Sequence, residues 1–276
     1  MTNLRGGSDE EDHNKQMDEL LEYQEQYHAF LATQPTSESS MTPSVLDLEQ
    51  SDKPVSIVWA TPEIDAILGY IARVSNPDNQ RNRTVSQLLS SMLNEGHWSP
   101  FTMANICLEI NTTRDISRQL LRHSSIHPQE FSQRYQDVGK LPPIEPRECR
   151  MQDSKNRQAS LPVDNDEGLE HWWNTMQIEV QDNTKRIYDQ ALQFGIAKEV
   201  ARAILPEGLT PTRLYMNGNI RSWLTFLIQR LDWTTQQECR ELAYDVESLL
   251  IQLCPTVMDA FANCRAGKNI RLVRPD

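Results

Sequence analysis

The residues best suited to chemistry lie in one stretch, RQLLRHSSIHPQEFSQRYQDV, which runs from Arg118 to Val138. Arg118 and Arg122 are four residues apart, and so are Gln119 and His123. On a helix each pair would lie on one side, and two neighbouring guanidinium groups bind an anion strongly. A solvated basic helix face paired with nearby carboxylates is the alternative for this spacing.

The run QEFSQRY, at residues 129–135, combines hydrogen-bond donors and acceptors. Ser132 and Arg134 suit a phosphate, because a hydroxyl, a guanidinium and loop amides together satisfy its oxygens. Gln129 or Glu130 could bind the edge of a heterocycle. A capped polar turn is an equally good interpretation of this composition taken alone.

A second group of arginines, Arg202, Arg213, Arg221 and Arg230, lies in the later part of the chain. Arg230 ends the apolar stretch SWLTFLIQR, where a charge needs either a partner such as Asp232 or a ligand. We therefore expect Arg230 to form a salt bridge or to bind an anionic or polar substrate.

Other chemistries find little support. His123 and His127 have H-x-x-x-H spacing, but no glutamate follows the first histidine, and Pro128 disfavours a helix at His127. We expect no metal site. No nucleophile elbow surrounds Ser132, and neither a G-x-G-x-x-G motif nor a P-loop occurs. His97, in GHWSPF, is typical of a structural or helix-capping histidine.

The elements that would position these residues can be read from periodicity. PVSIVWATP and MANICLEINT predict two strands, while the block 142–168, rich in proline and charge, predicts a loop. Gly96 is expected to end the predicted helix 84–95. Two early strands in a helix-rich chain predict an α+β domain with long helices. The predicted helices are 63–75, 84–95, 113–123, 169–195, 197–205, 217–231 and 234–253.

Charge divides the chain into two predicted parts. The net charge is −12, and residues 1–53 hold 12 acidic against 3 basic residues, whereas the remainder holds 27 against 24. We expect residues 1–53 to form an acidic, partly disordered extension and residues 54–276 to form the catalytic domain. Because the net charge is negative and neither part of the chain is basic, we do not expect the protein to bind long nucleic acid.

Cellular location can also be anticipated. The five cysteines are odd in number and form no C-x-x-C pair, so free thiols in a reducing compartment are expected. No apolar run approaches the roughly 20 residues that span a bilayer, and the N-terminus lacks the apolar core of a secretory signal. We expect a cytoplasmic protein without membrane contact.

Several motifs together resemble the flavin-dependent thymidylate synthases. That family carries an R-H-R-x-x-S signature followed by N/Q-E-x-S-x-R-Y. IARVSNP, GHWSPF, KEVARAILP and NGNIRSWLTFLIQR occur in the family's order, so the resemblance covers about residues 55–255. The residues at the corresponding positions are Arg122, His123, Ser124, Gln129, Glu130, Ser132, Arg134 and Tyr135.

The resemblance implies a homotetramer of α+β subunits, with a small mixed sheet, long helices and active sites shared between subunits. It implies FAD as cofactor, methylenetetrahydrofolate as one-carbon donor, NADPH or another reductant, and dUMP as the acceptor that becomes dTMP. Arg230 matches a catalytic arginine that polarises the pyrimidine. Nucleotide-binding positions would be Gln119, Leu120, Leu121, Arg122, Glu130, Phe131, Ser132, Gln133, Arg134, Arg202 and Arg230. Flavin-binding positions would be Ser75, His97, Ser99, Arg122, His123, Ser124, Glu130, Asn219, Arg221 and Thr225.

The chain departs from the family pattern on the flavin side. Ser124 replaces the third residue of R-H-R, His127 occupies the signature serine position, and Thr102 follows SPF where an acidic residue is common. Losing one guanidinium contact weakens anion binding by roughly 1.5–3 kcal/mol unless Arg118 or His127 compensates. Two alternatives therefore stay open. One is a divergent paralogue that hydroxymethylates dUMP or acts on dCMP, and the other is a non-catalytic nucleotide-binding subunit.

Overall fold

The computed structural model describes residues 51, 53–164 and 166–266, so the predicted N-terminal extension lies almost wholly outside the described residues. The strands are β1 Val55–Ala60, β2 Asn105–Thr113, β3 His127–Glu130, β4 Arg150–Gln152, β5 Ser160–Pro162 and β6 Pro211–Asn219. The helices are α1 Ile64–Ala72, α2 Ser86–Glu95, α3 Arg114–Leu120, α4 Glu167–Gln193, α5 Lys198–Ala201, α6 Ile220–Arg230, α7 Gln237–Leu253 and α8 Pro255–Ala266.

Four strands form one sheet in the order β1-β2-β6-β3, and β4 and β5 pair separately as a small hairpin. Strands β2 and β6 are paired over nine residues, from Asn105 opposite Asn219 to Thr113 opposite Pro211. Every pairing in the four-stranded sheet is antiparallel. The predicted α+β class is confirmed, and the sheet is antiparallel where a mixed one was expected.

One face of this sheet carries the main core. Ile106, Leu108 and Ile110 alternate along β2 and are fully buried, as the period of two along a strand requires. Helix α6 packs in the same core through Trp223, whose indole N–H donates to the carbonyl of Ile106 at 3.1 Å. Apolar residues from α1, α2, α7 and α8 complete this cluster.

Most predicted elements are confirmed, including both early strands, the long helix α4 and the end of α2 at Gly96, whose φ is 78°. The predicted helix 217–231 is wrong at its start, because β6 runs to Asn219 and α6 begins only at Ile220. Strands β3 and β6 and helix α8 were not predicted. The strands were missed because their stability comes from pairing with distant segments rather than from a local pattern.

Two other expectations need revision. The predicted helix 197–205 is a single α-helical turn, α5, followed by the 3-10 turn Arg202–Ile204. The block 142–168, predicted as loop, contains the hairpin β4–β5 and the first residues of α4. All five cysteines are free, as predicted. No helix within the described part of the chain combines the length and the apolar character that crossing a bilayer requires.

The N-terminus of α8 is fixed by a side chain from α1. The two carboxylate oxygens of Asp65 accept hydrogen bonds from the backbone N–H groups of Thr256, at 2.8 Å, and Val257, at 3.1 Å. These N–H groups belong to the first turn of a helix and have no intrahelical acceptor. Asp65 therefore ties the last described helix to the start of the domain.

Replacing Asp65 with alanine is expected to lower the free energy of unfolding by about 1–2 kcal/mol, because two helix N–H groups lose their acceptor and the helix dipole loses a compensating charge. Urea unfolding followed by circular dichroism measures the change. Asp78→Ala, at an exposed position of a 3-10 turn, is the control. Equal stability of the two variants would contradict the capping role.

Candidate active site

Arg230, the last residue of α6, is held by two groups at the end of α3. Its Nε donates to Nε2 of His123 at 2.8 Å, and its Nη2 donates to the backbone carbonyl of Gln119 at 2.6 Å. The predicted alternative, a salt bridge to Asp232, is wrong, since that carboxylate accepts from Thr234 instead. Among the described residues Arg230 thus has two neutral acceptors and no carboxylate partner, in a partly buried position.

His123 is buried, with 7% of its surface exposed, and its ring lies 4.9 Å from that of Phe226. Burial lowers the pKa of His123 to about 4, and the charge of Arg230 acts in the same direction. Because Nε2 accepts the hydrogen bond from Arg230, the neutral ring carries its proton on Nδ1. His123 therefore orients the guanidinium without neutralising it.

The predicted pairing of Arg118 with Arg122 on one helix face is wrong. Helix α3 ends at Leu120, so Arg122 lies beyond it, exposed, in the following turn. Arg118 pairs instead with Glu207 at 3.3 Å on the surface. Leu120 is fully buried and Leu121 packs against the core, so these two candidate positions can offer a ligand only their backbone.

Glu130, a candidate for binding both nucleotide and flavin, is already engaged. Its Oε1 lies 2.8 Å from a guanidinium nitrogen of Arg114 and accepts hydrogen bonds from Ser117 at 2.8 Å and Thr212 at 3.0 Å. The carboxylate therefore joins β3 to α3 and β6. Sequence reasoning missed these partners, because three groups separated by up to 82 residues leave no local signal.

The turn after β3 presents the predicted phosphate ligands. The carbonyl of Ser132 accepts from the backbone N–H groups of Tyr135 and Gln136, which closes the turn and leaves the side chains of Ser132 and Arg134 exposed. Arg134 pairs with Glu199 of α5 at 3.4 Å. A cavity of about 400 Å³ lies here, lined by Ser132, Arg134, Tyr135, Ala197, Lys198 and Glu199.

The other candidates near this turn differ in exposure. Gln133 is buried, and Phe131 packs against a small apolar cluster that includes Tyr188 and Ala201. Arg202 directly follows α5 and is half-buried. The structure therefore brings the turn and α5 together, packs Phe131 against an apolar cluster and buries Gln133.

Several predicted flavin positions already have structural roles. Asn219 caps α6, since its Oδ1 accepts from the backbone N–H of Ser222 at 2.9 Å, and the hydroxyl of Thr225 donates to the carbonyl of Arg221 at 2.9 Å. His97 is exposed and lies 3.6 Å from Glu95. These side chains are therefore occupied by local contacts.

The remaining flavin positions offer groups that suit the cofactor. Ser75, Ser99 and Ser124 are exposed hydroxyls, and Arg122 and Arg221 carry guanidinium groups. Hydroxyl and guanidinium donors are the groups that bind a pyrophosphate, so this donor set fits a flavin dinucleotide.

Comparison with known proteins agrees with these features. A family model described as "Thymidylate synthase complementing protein" matches residues 56–256. A flavin-dependent thymidylate synthase of Synechocystis sp. is 44% identical over 209 residues, which cover 75% of this chain and 94% of the relative. A probable flavin-dependent thymidylate synthase of Paramecium bursaria Chlorella virus 1 is 43% identical over 205 residues, covering 74% and 93%.

A solved structure has the same fold. The UMP/dUMP methylase PolB from Streptomyces cacaoi, in a crystal structure bound with 5-Br dUMP, aligns with a TM-score of 0.65 and 26% identity. The alignment covers 78% of this chain and 96% of that one.

The buried imidazole of His123 generates a prediction about pH. Its pKa in the folded protein, about 4, lies below the ordinary value of 6.5, so between these values the unfolded chain binds more protons. Stability is therefore complete above about pH 6.5 and falls as the pH is lowered, by about 2 kcal/mol between pH 7 and pH 5.

His123→Gln, which keeps an acceptor for Arg230, should remove most of this pH dependence. Urea unfolding of both proteins at pH 7 and pH 5 measures the difference, and exposed His97→Gln serves as the control. A His123 ring that titrates near pH 6.5 in the NMR spectrum of the folded protein would contradict the assignment.

Proposed function

Because the chain belongs to the family of thymidylate synthase complementing proteins, the flavin-dependent thymidylate synthases, we propose that it methylates carbon 5 of a pyrimidine deoxynucleotide. The substrate is dUMP and the product is dTMP. The family match, and the similarity to a methylase that binds a brominated dUMP, support this assignment.

The single observation that carries the proposal is the environment of Arg230. Its Nε and Nη2 are engaged by His123 and Gln119, whereas its Nη1 forms no hydrogen bond to any described residue. A pyrimidine becomes nucleophilic at carbon 5 when its ring N–H proton is lost, and a fixed cation stabilises the resulting anion. Arg230 supplies this cation to the base.

The phosphate of the nucleotide binds at the turn after β3. Ser132 and Arg134 provide a hydroxyl and a guanidinium on one side of the 400 Å³ cavity, and Arg202 adds a second guanidinium next to α5. A phosphate would replace Glu199 as the partner of Arg134, because the doubly charged group competes well with an exposed carboxylate.

The one-carbon unit comes from methylenetetrahydrofolate, and NADPH or another reductant reduces the cofactor. If it is bound in its reduced form, a flavin would supply the hydride that converts the transferred methylene into a methyl group. Carbon 5 exchanges its proton for the methyl group, tetrahydrofolate is released, and the reductant supplies the two electrons, so the reaction balances. Arg122 and Arg221 would bind the pyrophosphate of FAD, and Ser124 would replace the signature's third arginine with a neutral donor.

Purified protein supplied with FAD, dUMP, methylenetetrahydrofolate and NADPH or dithionite should therefore form dTMP. Arg230→Gln should lower kcat by about a hundredfold or more, because the anionic base loses its cation, while its KM for dUMP changes less. Arg240→Gln, which removes an arginine bound to the carbonyls of Trp233 and Thr235, is the control.

Mass spectrometry of the product decides between the alternatives. A product heavier than dUMP by one methylene supports the proposal, whereas a hydroxymethyl product, or turnover of dCMP alone, would identify a divergent paralogue. Binding of dUMP without any turnover would indicate a non-catalytic subunit and would overturn the enzymatic proposal.

The phosphate site gives a separate prediction. Arg134→Ala should raise the Kd of dUMP by about ten- to a hundredfold, since a charged hydrogen bond contributes roughly 1.5–3 kcal/mol, and should leave the Kd of deoxyuridine unchanged. Isothermal titration with both ligands measures this. Arg118→Ala, at an exposed ion pair on α3, is the matched control. An equal loss for nucleoside and nucleotide would show that Arg134 does not bind phosphate.

Helix α4 supports association of several copies of the chain. Five of its apolar residues, together with Phe194 at its C-cap, follow the alternating three- and four-residue spacing of a helix-packing seam, with Asn183 and Gln190 completing the pattern. Four of them are 37–83% exposed, which leaves a long apolar stripe uncovered in the single chain. The seam consists of Leu169, Trp173, Met176, Val180, Ile187 and Phe194.

A homotetramer that buries this seam should dissociate when charge is placed on it. The double variant Val180→Glu, Ile187→Glu is expected to reduce the molar mass measured by light scattering from that of a tetramer to that of a dimer or a monomer. Glu179→Lys, exposed on the same helix, is the control. An unchanged mass for the double variant would exclude α4 from the interface.

A further inference from the structure

The carboxylate of Glu238, in the first turn of α7, is linked to Arg230 through two glutamine residues. Nε2 of Gln236 donates to Oε2 of Glu238 at 2.9 Å, and Nε2 of Gln119 donates to Oε1 of Gln236 at 2.7 Å. The backbone carbonyl of Gln119 accepts from Nη2 of Arg230 at 2.6 Å. The structure therefore connects a carboxylate to the guanidinium group that the proposed reaction needs as a free cation.

The charges of Arg230 and Glu238 act on the same buried group. Helices α6 and α7 pack against each other, and the thiol of Cys239 on α7 is fully buried. Burial raises the pKa of this thiol to about 11, while the charge of Arg230 acts to lower the pKa and the charge of Glu238 acts to raise it. Both charges therefore reach the same buried region beside the site.

The main counter-charge of Glu238 is Arg150, in strand β4 of the hairpin. The guanidinium of Arg150 donates to Oε1 of Glu238, and only 12% of the Arg150 side chain is exposed. Burial acts to raise the pKa of Glu238, but the hydrogen bonds that it accepts, above all the one from Arg150, hold the pKa below its usual range. Nε of Arg147 lies 4.0 Å from Glu238, but Arg147 pairs more closely with Asp115, at 2.7 Å.

This counter-charge matters because the proposed reaction builds negative charge on the pyrimidine. Arg230 stabilises that charge, and among the described residues it has no carboxylate partner. An unpaired carboxylate at Glu238 would repel the anionic base and attract the guanidinium of Arg230, and both effects would weaken the stabilisation. Arg150 cancels the charge of Glu238 and leaves Oε2 in place to hold Gln236.

We infer that Arg150 is a positioning residue, which pairs with Glu238 and so prevents that carboxylate from competing with the substrate for the charge of Arg230. Through this pairing, the hairpin β4–β5 favours loss of the ring N–H proton of the bound pyrimidine. The inference rests on the proposed function, since it concerns the anion that the same reaction forms. It assigns neither Arg150 nor Glu238 a contact with the substrate, and none of the motifs that carry the family resemblance contains either residue.

The ionisation of a bound nucleotide measures this effect. The ring N–H of 5-fluoro-dUMP is more acidic than that of dUMP, and fluorine NMR of the complex with FAD-loaded protein gives the acid dissociation constant of the bound base. Arg150→Met should lower this constant about five- to tenfold, because the charge of Glu238 is no longer cancelled, and should lower kcat for dTMP formation by a similar factor. Arg157→Met, exposed in the turn of the same hairpin, is the matched control.

Two further variants separate charge from structure. Glu238→Gln keeps an acceptor for Gln236 but removes the negative charge, so it should raise the dissociation constant of the bound base about fivefold, whereas a loss of structure would lower it. Adding Glu238→Gln to Arg150→Met should return the constant to within about threefold of the wild-type value, because a neutral side chain needs no counter-charge. Glu238→Gln alone decides the inference if Arg150→Met does not fold.

Each outcome decides the inference. If the wild-type protein forms dTMP and the base is equally acidic when bound to Arg150→Met, the inference is overturned and the proposed function stands. If Glu238→Gln lowers the dissociation constant, or the double variant is no better than Arg150→Met, the hairpin acts through structure and the inference is again overturned. Wild-type protein that binds no 5-fluoro-dUMP and forms no dTMP would overturn the inference together with the proposed function.

Discussion

The pairing of β2 with β6 is the constraint on which the site depends. Helix α3 follows β2 and helix α6 follows β6, so antiparallel pairing starts the two helices at opposite ends of the sheet. Both pack in the same core. The paired strands are about 30 Å long, while α3 and α6 rise about 10 Å and 16 Å. The ends of the two helices therefore meet over the sheet, where Arg230 contacts His123 and Gln119.

Two buried polar contacts stabilise the region around β3 in different ways. Glu130 is charged and satisfied by Arg114 together with two hydroxyls, as a carboxylate removed from water must be. His123 is neutral, so it accepts from Arg230 without forming an ion pair. The carboxylate of Glu130 therefore serves the scaffold, whereas His123 holds Arg230 without neutralising its charge.

The residues proposed to bind the nucleotide are held by hydrogen bonds, whereas those that depart from the family signature are exposed. Arg230, Gln119 and the turn at Ser132 are connected to the core or to one another by hydrogen bonds. Ser124, which replaces an arginine of the family signature, and His127 are both exposed. Arg118, the other candidate to replace the missing charge, pairs with Glu207. Within the described residues, Arg118 therefore does not supply the positive charge that is missing at Ser124.

The sequence alone determined the α+β class, the long helices, both early strands and the family, because periodicity, capping glycines and motifs are local signals. It also identified the residue types of the site, among them Arg230 and Ser132. Only the tertiary structure decided which side chains meet: the partner of Arg230, the engagement of Glu130 and the hydrogen bond between Gln119 and Gln236. Apart from the contacts of Glu130 with Arg114 and Ser117, these contacts join residues 82 to 117 positions apart, and non-local strand pairing, which no short pattern encodes, brings them together.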